Sequence, residues 1–297
     1  MSDREAAFYN LTQNCPERIY HYTSPDAFLK IISGKKIRFT RFDCLNDYSE
    51  GTLVKQLYSI CLLEMLDTGE ISKEFYESVK ELDISSKTLV DDKKCFYRPV
   101  DTDFYVCCFS EDPDALQMWQ YYSKGGNYEG YNIGFNTSSL RNAYYASLNI
   151  CHVEYNEDKQ KRFIKEAIRV CDWQSRKEKV LITIELQYQL SVMNICFKKA
   201  CFAGEKEIRA IMDVSRSPEA KDQMRPPIEY RIGHGLMIPY FDLLFKPESI
   251  EEITIGPVTS NRDNTMEKNR EVTKQFVSDK LNRPFENVKN SSIPVRY

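Results

Sequence analysis

The sequence has few histidines and no excess of either charge. It contains 3 His, and its 41 Lys and Arg nearly balance 44 Asp and Glu, which gives a formal net charge of -3. This balance excludes a polybasic protein that coats nucleic acid by bulk neutralisation of phosphates, although a local basic groove is compatible with it. A disordered or low-complexity chain is excluded as well, because 42% of the residues are hydrophobic and 12% are aromatic.

Long apolar segments are also absent. Residues 1–18 contain no apolar core of signal-peptide length. The longest apolar stretch, Ile182–Ile195, is interrupted by Glu185, Gln187 and Gln189, so it is too polar to span a bilayer. We therefore expect a soluble, cytoplasmic protein that has no membrane partner.

The chain lacks the common short motifs of phosphate, metal and nucleophile sites. No glycine-rich phosphate loop, G-x-G-x-x-G, G-x-S-x-G, H-E-x-x-H or C-x-x-C occurs in it. Cys107 and Cys108 are adjacent, and neighbouring side chains of a strand point to opposite faces. The ten cysteines are therefore predicted to be small hydrophobic residues of a reduced protein, and no metal site is expected.

What the chain does contain is an alternation of short strands and unequal helices. A first helix is predicted after Arg18–Thr23, with Ser24 as its N-cap and Gly34 in the left-handed position at its end. Strands are predicted at 18–23, 36–40, 104–109, 131–135, 147–155, 205–214, 228–232, 236–240 and 252–255, and helices at 24–34, 51–82, 112–122, 157–199 and 263–280. This order favours an α+β fold in a single domain, 1–297, with helical insertions at 51–100 and 157–200.

Four groups of polar residues lie within these apolar segments, namely Tyr20–Thr23, Asn46–Glu50, Cys108–Tyr122 and Glu205–Arg209. Strand alternation predicts that His21 and Thr23 share one face, and that both glutamates of the last group share a face with Arg209. Each group also has an ordinary structural interpretation: a hydrogen-bonded core histidine, a capping turn, a core helix or a solvated edge strand.

Taken in order, these groups resemble the landmarks of an uncharacterised bacterial family. Its landmarks are H-Y-T, N-D-x-x-E, C-F-S-E, M-W-x-x-Y, G-x-x-I-G-F and E-x-E-x-R, which stand here at His21–Thr23, Asn46–Glu50, Cys108–Glu111, Met118–Tyr122, Gly130–Phe135 and Glu205–Arg209. That family in turn resembles the His–Tyr–Glu type of ADP-ribosyltransferase, which includes bacterial toxins and phage-defence effectors that modify nucleic acids. The resemblance implies a split β-sandwich, in which two small, mostly antiparallel sheets flank an NAD cleft.

The resemblance also implies roles for particular residues. His21 would hold a ribose of NAD, and Glu207, with Glu205 beside it, would assist cleavage. The implied NAD-binding residues are His21, Tyr22, Thr23, Arg38, Asn46, Trp119, Tyr122 and Arg209. The aromatic residue that stacks on nicotinamide is left open among Phe39, Trp119, Tyr121 and Tyr122, and the partner of the pyrophosphate among Arg38, Arg41 and Arg209.

These residue types suit the implied reaction. Cleavage of the nicotinamide–ribose bond passes through an oxocarbenium-like state, which a carboxylate stabilises. An aromatic face attracts the cationic nicotinamide ring, arginine pairs bidentately with phosphate, and no metal is needed.

Several functions stay open on the sequence. The leading hypothesis is an NAD-dependent ADP-ribosyltransferase that modifies a macromolecule, with RNA preferred over protein as the acceptor. The alternatives are a non-catalytic nucleotide- or nucleic-acid-binding module, a protein-interaction subunit, and a metal-independent RNase toxin with His21 as acid and base. The resemblance also allows for an antitoxin or chaperone partner.

Overall fold

The computed structural model describes residues 15–45, 52–82, 84, 102–123, 127–141, 148–175, 182–215, 226–233, 235–257 and 263–294. Within these ranges the chain is a mixed α/β protein whose ten strands form one sheet. Asn46 and the rest of the 46–50 motif lie outside the described residues, as does most of the predicted insertion 51–100 beyond its helices.

The strands are short, and most of them are antiparallel to their neighbours. They are β1 (Arg18–Thr23), β2 (Lys36–Arg41), β3 (Thr102–Ser110), β4 (Tyr131–Asn136), β5 (Asn149–His152), β6 (Glu207–Ser215), β7 (Glu229–Gly233), β8 (Leu236–Leu244), β9 (Ile250–Ile255) and β10 (Val288–Asn290). In the part of the sheet that is described, β9 and β10 form the one parallel pair.

Helices connect and cover these strands. They are α1 (Pro25–Gly34), α2 (Leu53–Asp67), α3 (Lys73–Val79), α4 (Leu116–Tyr122), α5 (Thr137–Arg141), α6 (Glu157–Ser175), α7 (Ile182–Cys196) and α8 (Asp263–Leu281). Buried residues of α2, α3, α6 and α7 form one core cluster with Phe104, Val106 and Ile211 of the sheet. Residues of α1 and α8 form a second cluster with the opposite face, which includes Phe39 and Phe241. The sheet is therefore sandwiched between two helical layers.

Strand β3 is the point at which the sheet forks. Along one edge it pairs with β6 over its whole length, from Thr102 opposite Ser215 to Ser110 opposite Glu207. Along the other edge it pairs first with β2, at Tyr105 and Val106, and then with β1, at Ser110. Two small sheets were expected from the resemblance; instead, the described strands form one continuous sheet whose strands β1 and β2 diverge beside β3.

The ends of two predicted elements are corrected by the structure. Ser24 caps α1 as expected, but the left-handed residue that ends this helix is Lys35 rather than Gly34. Glu205 does not belong to β6: it ends a 3-10 turn, Ala200–Glu205, and Lys206 then adopts a left-handed conformation at φ 44°. Because the chain turns there, strand alternation cannot place Glu205 on the face of Glu207.

The cysteines and the lengths of the helices can be described for the part of the chain that the structure covers. Nine cysteines are free thiols there, and most of them are buried. No cluster of His, Cys, Asp or Glu within these residues could hold a metal ion. Every helix of the described ranges is too short or too polar to cross a bilayer.

Candidate functional site

The fork beside β3 creates a gap that the side chain of His21 enters. The outer edge of β3 has described strand partners at Val106 and at Ser110, but none at residues 107–109 between them. His21 Nδ1 lies 3.0 Å from the carbonyl oxygen of Cys108 in this gap. A carbonyl can only accept, so Nδ1 carries the proton and Nε2 is the acceptor nitrogen of the neutral ring. Burial lowers the pKa of His21, which keeps the ring neutral at pH 7.

A cavity of about 160 Å³ opens at this gap. It is lined by Tyr20, His21, Tyr22, Arg38, Thr40, Leu45, Val106, Cys107, Cys108, Phe109, Met118, Tyr122, Glu205 and Glu207. Six residues that the sequence analysis selected therefore meet around one space, although they come from four separate segments of the chain. These six are His21, Tyr22, Arg38, Tyr122, Glu205 and Glu207.

Four buried charged side chains form a cluster at the wall of the cavity. Arg209 donates two hydrogen bonds to Glu207, from Nε to Oε1 and from an Nη to Oε2, both at 3.0 Å. Lys198 Nζ lies 2.8 Å from Glu207 Oε2 and 2.9 Å from Glu205 Oε2. All four side chains are at least 90% buried, so two carboxylates and two cations form a formally neutral cluster inside the protein.

The two carboxylates of this charge cluster differ in proton affinity. Burial alone would raise the pKa of Glu207, but Arg209 and Lys198 outweigh it and lower this pKa to about 2. Burial raises the pKa of Glu205, because Lys198 only partly compensates for the loss of water around that carboxylate. Glu207 is therefore a permanent anion at neutral pH, whereas Glu205 is the better proton acceptor.

Two further groups hold Glu207 in position. Its backbone N–H donates to the hydroxyl of Tyr155 at 3.0 Å. The thiol of Cys108, which faces Arg209 across the β3–β6 ladder, donates to the Glu207 carboxylate. The Glu207 side chain is thus fixed by contacts from β3, from β6 and from the segment after α7.

Trp119 does not line the cavity, although the M-W-x-x-Y motif predicted it to bind NAD. The indole is 1% exposed, stacks edge-on against Tyr22 and donates from Nε1 to Asp114 at 2.8 Å. Asp114 also accepts hydrogen bonds from Ser291 and Ser292, so Trp119 belongs to the contact that anchors the C-terminal segment. Tyr122, three residues later, is 41% exposed and reaches the cavity.

Thr23, Arg209 and Arg38 were also expected to bind NAD, and each has a different position relative to the cavity. Thr23 is buried and does not line the cavity. Arg209 lies behind Glu207 and does not line it either. Arg38 does line the cavity, where it is paired bidentately with Asp242 and lies 3.6 Å over the ring of Tyr240.

Lys198 and Tyr155 complete the cluster and were not predicted from the sequence. Lys198 lies just after α7, where a bridge between Glu154 and Phe197 holds the chain against the segment that follows β5. Nothing in the local spacing separates buried Lys198 from exposed Lys199 beside it. The one signal in the sequence is that Lys198 directly follows three apolar residues, Ile195-Cys196-Phe197.

Comparison with known proteins gives one family and no activity. Residues 118–210 match the family described as a protein of unknown function (DUF2971). The matched stretch includes the whole charge cluster, from Lys198 to Arg209, and excludes His21 and Arg38. No curated protein and no solved structure matches the chain.

Proposed function

We propose that the cavity binds the nicotinamide–ribose end of NAD and that the protein transfers ADP-ribose to a macromolecule, preferably RNA. The observation that carries this proposal is the convergence of a neutral histidine, aromatic faces, an arginine and an ionised carboxylate on one cavity. The resemblance stated from the sequence motifs supplies the choice of NAD; the family match supplies no activity.

The size of the cavity limits which part of NAD it can enclose. Sites that enclose a drug-sized ligand have volumes of about 300–1,000 Å³. A cavity of about 160 Å³ is smaller than that, so it has room for about one ring, and the ribose would lie at its mouth. The remaining part of NAD would then lie toward Arg38. Its side chain is 44% exposed, and Nε and one Nη pair with Asp242, so the other Nη would meet the pyrophosphate.

Each side chain around the cavity has a chemical role in this proposal. His21 Nε2 accepts a hydrogen bond from a ribose hydroxyl, and the ring of Tyr122 faces the nicotinamide cation. Glu207 stabilises positive charge that develops on the ribose as the bond to nicotinamide breaks. Nicotinamide leaves with the bonding electron pair, the acceptor forms the new bond to the ribose carbon, and Glu205 takes the proton that the acceptor loses.

The test uses NAD that carries its label on the ADP-ribose part. The protein is incubated with this NAD and a cell lysate, and the product is divided between nuclease and protease. Label that only nuclease removes identifies a nucleic-acid acceptor, and label that only protease removes identifies a protein acceptor. Absence of both label transfer and nicotinamide release would defeat the proposal.

Variants assign the roles within the cavity. Glu207→Gln and His21→Ala should each lower transfer by about 100-fold or more per folded molecule, because both remove groups that contact the reacting ribose. The matched control is Glu252→Gln, since Glu252 is another buried strand carboxylate paired with two cations, Arg18 and Lys289, and does not line the cavity. Full activity in a folded Glu207→Gln variant would contradict the assignment.

A second function, a nucleotide-binding module without turnover, is favoured by one observation. The charge of Glu207 is already balanced by Arg209 and Lys198, as it would be in a purely structural cluster. This alternative predicts that NAD binds, as measured by calorimetry, while no nicotinamide is released.

A further inference from the structure

Strand β7 forms one end of the sheet, opposite the end that β10 occupies. It pairs with β8 from Glu229 opposite Tyr240 to Gly233 opposite Leu236, and no other described strand pairs with it. Large apolar side chains are exposed on this hairpin: Tyr230 at 62%, Ile232 at 71% and Met237 at 66%. An edge strand of this kind is a template for pairing with another strand.

Among the described residues, no strand pairs with the outer edge of β7, so its backbone groups can be considered for such pairing. In an antiparallel ladder, residues alternate between those whose N–H and C=O face one neighbour and those whose groups face the other. Tyr230 lies opposite Pro239, which has no N–H to donate. This assigns Tyr230 and Pro239 to a pair without mutual hydrogen bonds, so the N–H and C=O of Tyr230 point away from β8.

The sequence around Tyr230 is complementary to itself when it is reversed. Residues 228–232 read Ile-Glu-Tyr-Arg-Ile. If two copies pair antiparallel about Tyr230, Glu229 of each copy lies opposite Arg231 of the other, and Ile228 lies opposite Ile232. Both charged pairs are then attractive cross-strand pairs, and the apolar residues line one face.

We propose that β7 is a self-association edge, through which two copies of this chain pair antiparallel about a two-fold axis at Tyr230. The partner strand is β7 of a second copy, because Glu229 and Arg231 of one copy pair with Arg231 and Glu229 of the other in this antiparallel register. Such an interface is isologous, so it closes as a dimer instead of growing into a filament. It rests on the edge strand and its charges alone, and its test does not depend on any activity of the cavity.

Light scattering coupled to size-exclusion chromatography measures the association. The wild-type mass should rise toward twice the 34.8 kDa chain mass as concentration increases. Arg231→Glu should raise the dimer dissociation constant by about tenfold or more, because it creates two Glu–Glu contacts across the axis. The double exchange Glu229→Arg with Arg231→Glu should restore the dimer, since it reverses both pairs and keeps them attractive.

A cysteine at the axis tests the register independently. Directly opposed, hydrogen-bonded residues have Cα atoms about 5.5 Å apart, which is within disulfide range. Tyr230→Cys should therefore cross-link to its own copy under mild oxidation. Ile232→Cys is the control, because at about 3.4 Å per residue its two copies lie roughly 14 Å apart. The unmodified chain sets the background from its other cysteines.

Some results of these experiments would support the proposed dimer, and others would overturn it. A dimer that Arg231→Glu dissociates, that the double exchange restores and that Tyr230→Cys traps supports the proposal. A chain that stays monomeric up to its solubility limit overturns it, as does a dimer that is indifferent to these changes. All the changed side chains are exposed, and among them Glu229 accepts a hydrogen bond from the Tyr240 hydroxyl at 2.8 Å. Circular dichroism should show that the loss of this one surface contact leaves the fold unaltered.

Discussion

Replacement of Arg209 by methionine measures directly what holds the charge cluster together. The change removes two hydrogen bonds to Glu207 and one to the carbonyl oxygen of Ile195, and it leaves an apolar side chain of similar length. Lys198 then has to balance both carboxylates by itself. We expect a large loss of stability, because a buried anion loses its principal partner.

Two independent arguments give the size of this loss. Removal of one partner from a buried ion pair costs about 3–5 kcal/mol. Separately, the pKa of Glu207 is lowered from 4.5 to about 2, and each pKa unit corresponds to about 1.4 kcal/mol, so stabilisation of its charged form amounts to about 3 kcal/mol. The free energy of unfolding should therefore fall by about 3–5 kcal/mol, and the melting temperature by about 10 °C.

The loss should depend on pH in a defined direction. Because the native pKa of Glu207 lies below its unfolded value, its stabilisation is complete above about pH 4.5 and disappears as the pH falls toward 2. The raised pKa of Glu205 acts in the opposite sense, since that contribution is present at low pH and is lost as the pH rises through the raised value. The contribution of Glu205 therefore changes only above the usual carboxyl pKa, so it does not mask the loss of the Glu207 contribution in acid.

Urea unfolding of wild type and variant at pH 7 and pH 3 is the measurement. The control is Arg38→Met, because Arg38 pairs with Asp242 in a partly exposed position, where an ion pair contributes about 1 kcal/mol or less. The double variant with Glu207→Gln should lose less than the sum of the two single changes. A loss below about 1 kcal/mol for Arg209→Met at pH 7, or an equal loss at pH 3, would refute this account of the cluster.

Two further predictions concern the loop between β3 and α4. Tyr22→Phe should cost about 1–3 kcal/mol in urea unfolding, because the Tyr22 hydroxyl donates to the carbonyl of Asp112 and accepts from the N–H of Ala115; Tyr121→Phe, at an exposed position, is the control and should cost almost nothing. Asp114→Asn should speed amide hydrogen exchange at Ser292 by about tenfold or more, because the carboxylate accepts from that N–H and from two serine hydroxyls; unchanged exchange would show that other contacts hold the C-terminal segment.

Elements defined by local periodicity could be predicted well from the sequence. Strand β1 has the predicted bounds, Arg18–Thr23, and β2 and β4 extend one residue beyond theirs. Alternation and turn residues are local signals, so they survive without knowledge of the fold. Which strands pair is a property of the whole chain, and for that reason the fork at β3 and the short strand β10 were not predicted.

The candidate site shows the same division between local and distant information. The motifs selected residues that do line the cavity, but spacing did not distinguish buried Trp119 from exposed Tyr122, since both lie on one short helix. Glu205 and Glu207 were expected to share a strand face. Instead, both carboxylates contact Lys198, which follows α7 in the segment that was predicted only as a helical insertion.

The pairing of charges within the cluster suits Glu207 and Glu205 to different roles in a reaction. Glu207 is ionised and bound to two cations, so its field in the cavity is weakened, and its loss would disturb Arg209 and Lys198 as well as the ligand. Glu205 pairs with Lys198 and has a raised pKa, which suits proton transfer. Activity that survives Glu205→Gln with a changed pH profile, but not Glu207→Gln, would therefore assign charge stabilisation to Glu207 and proton transfer to Glu205. If both variants lose stability and activity in parallel, the cluster acts as one structural unit.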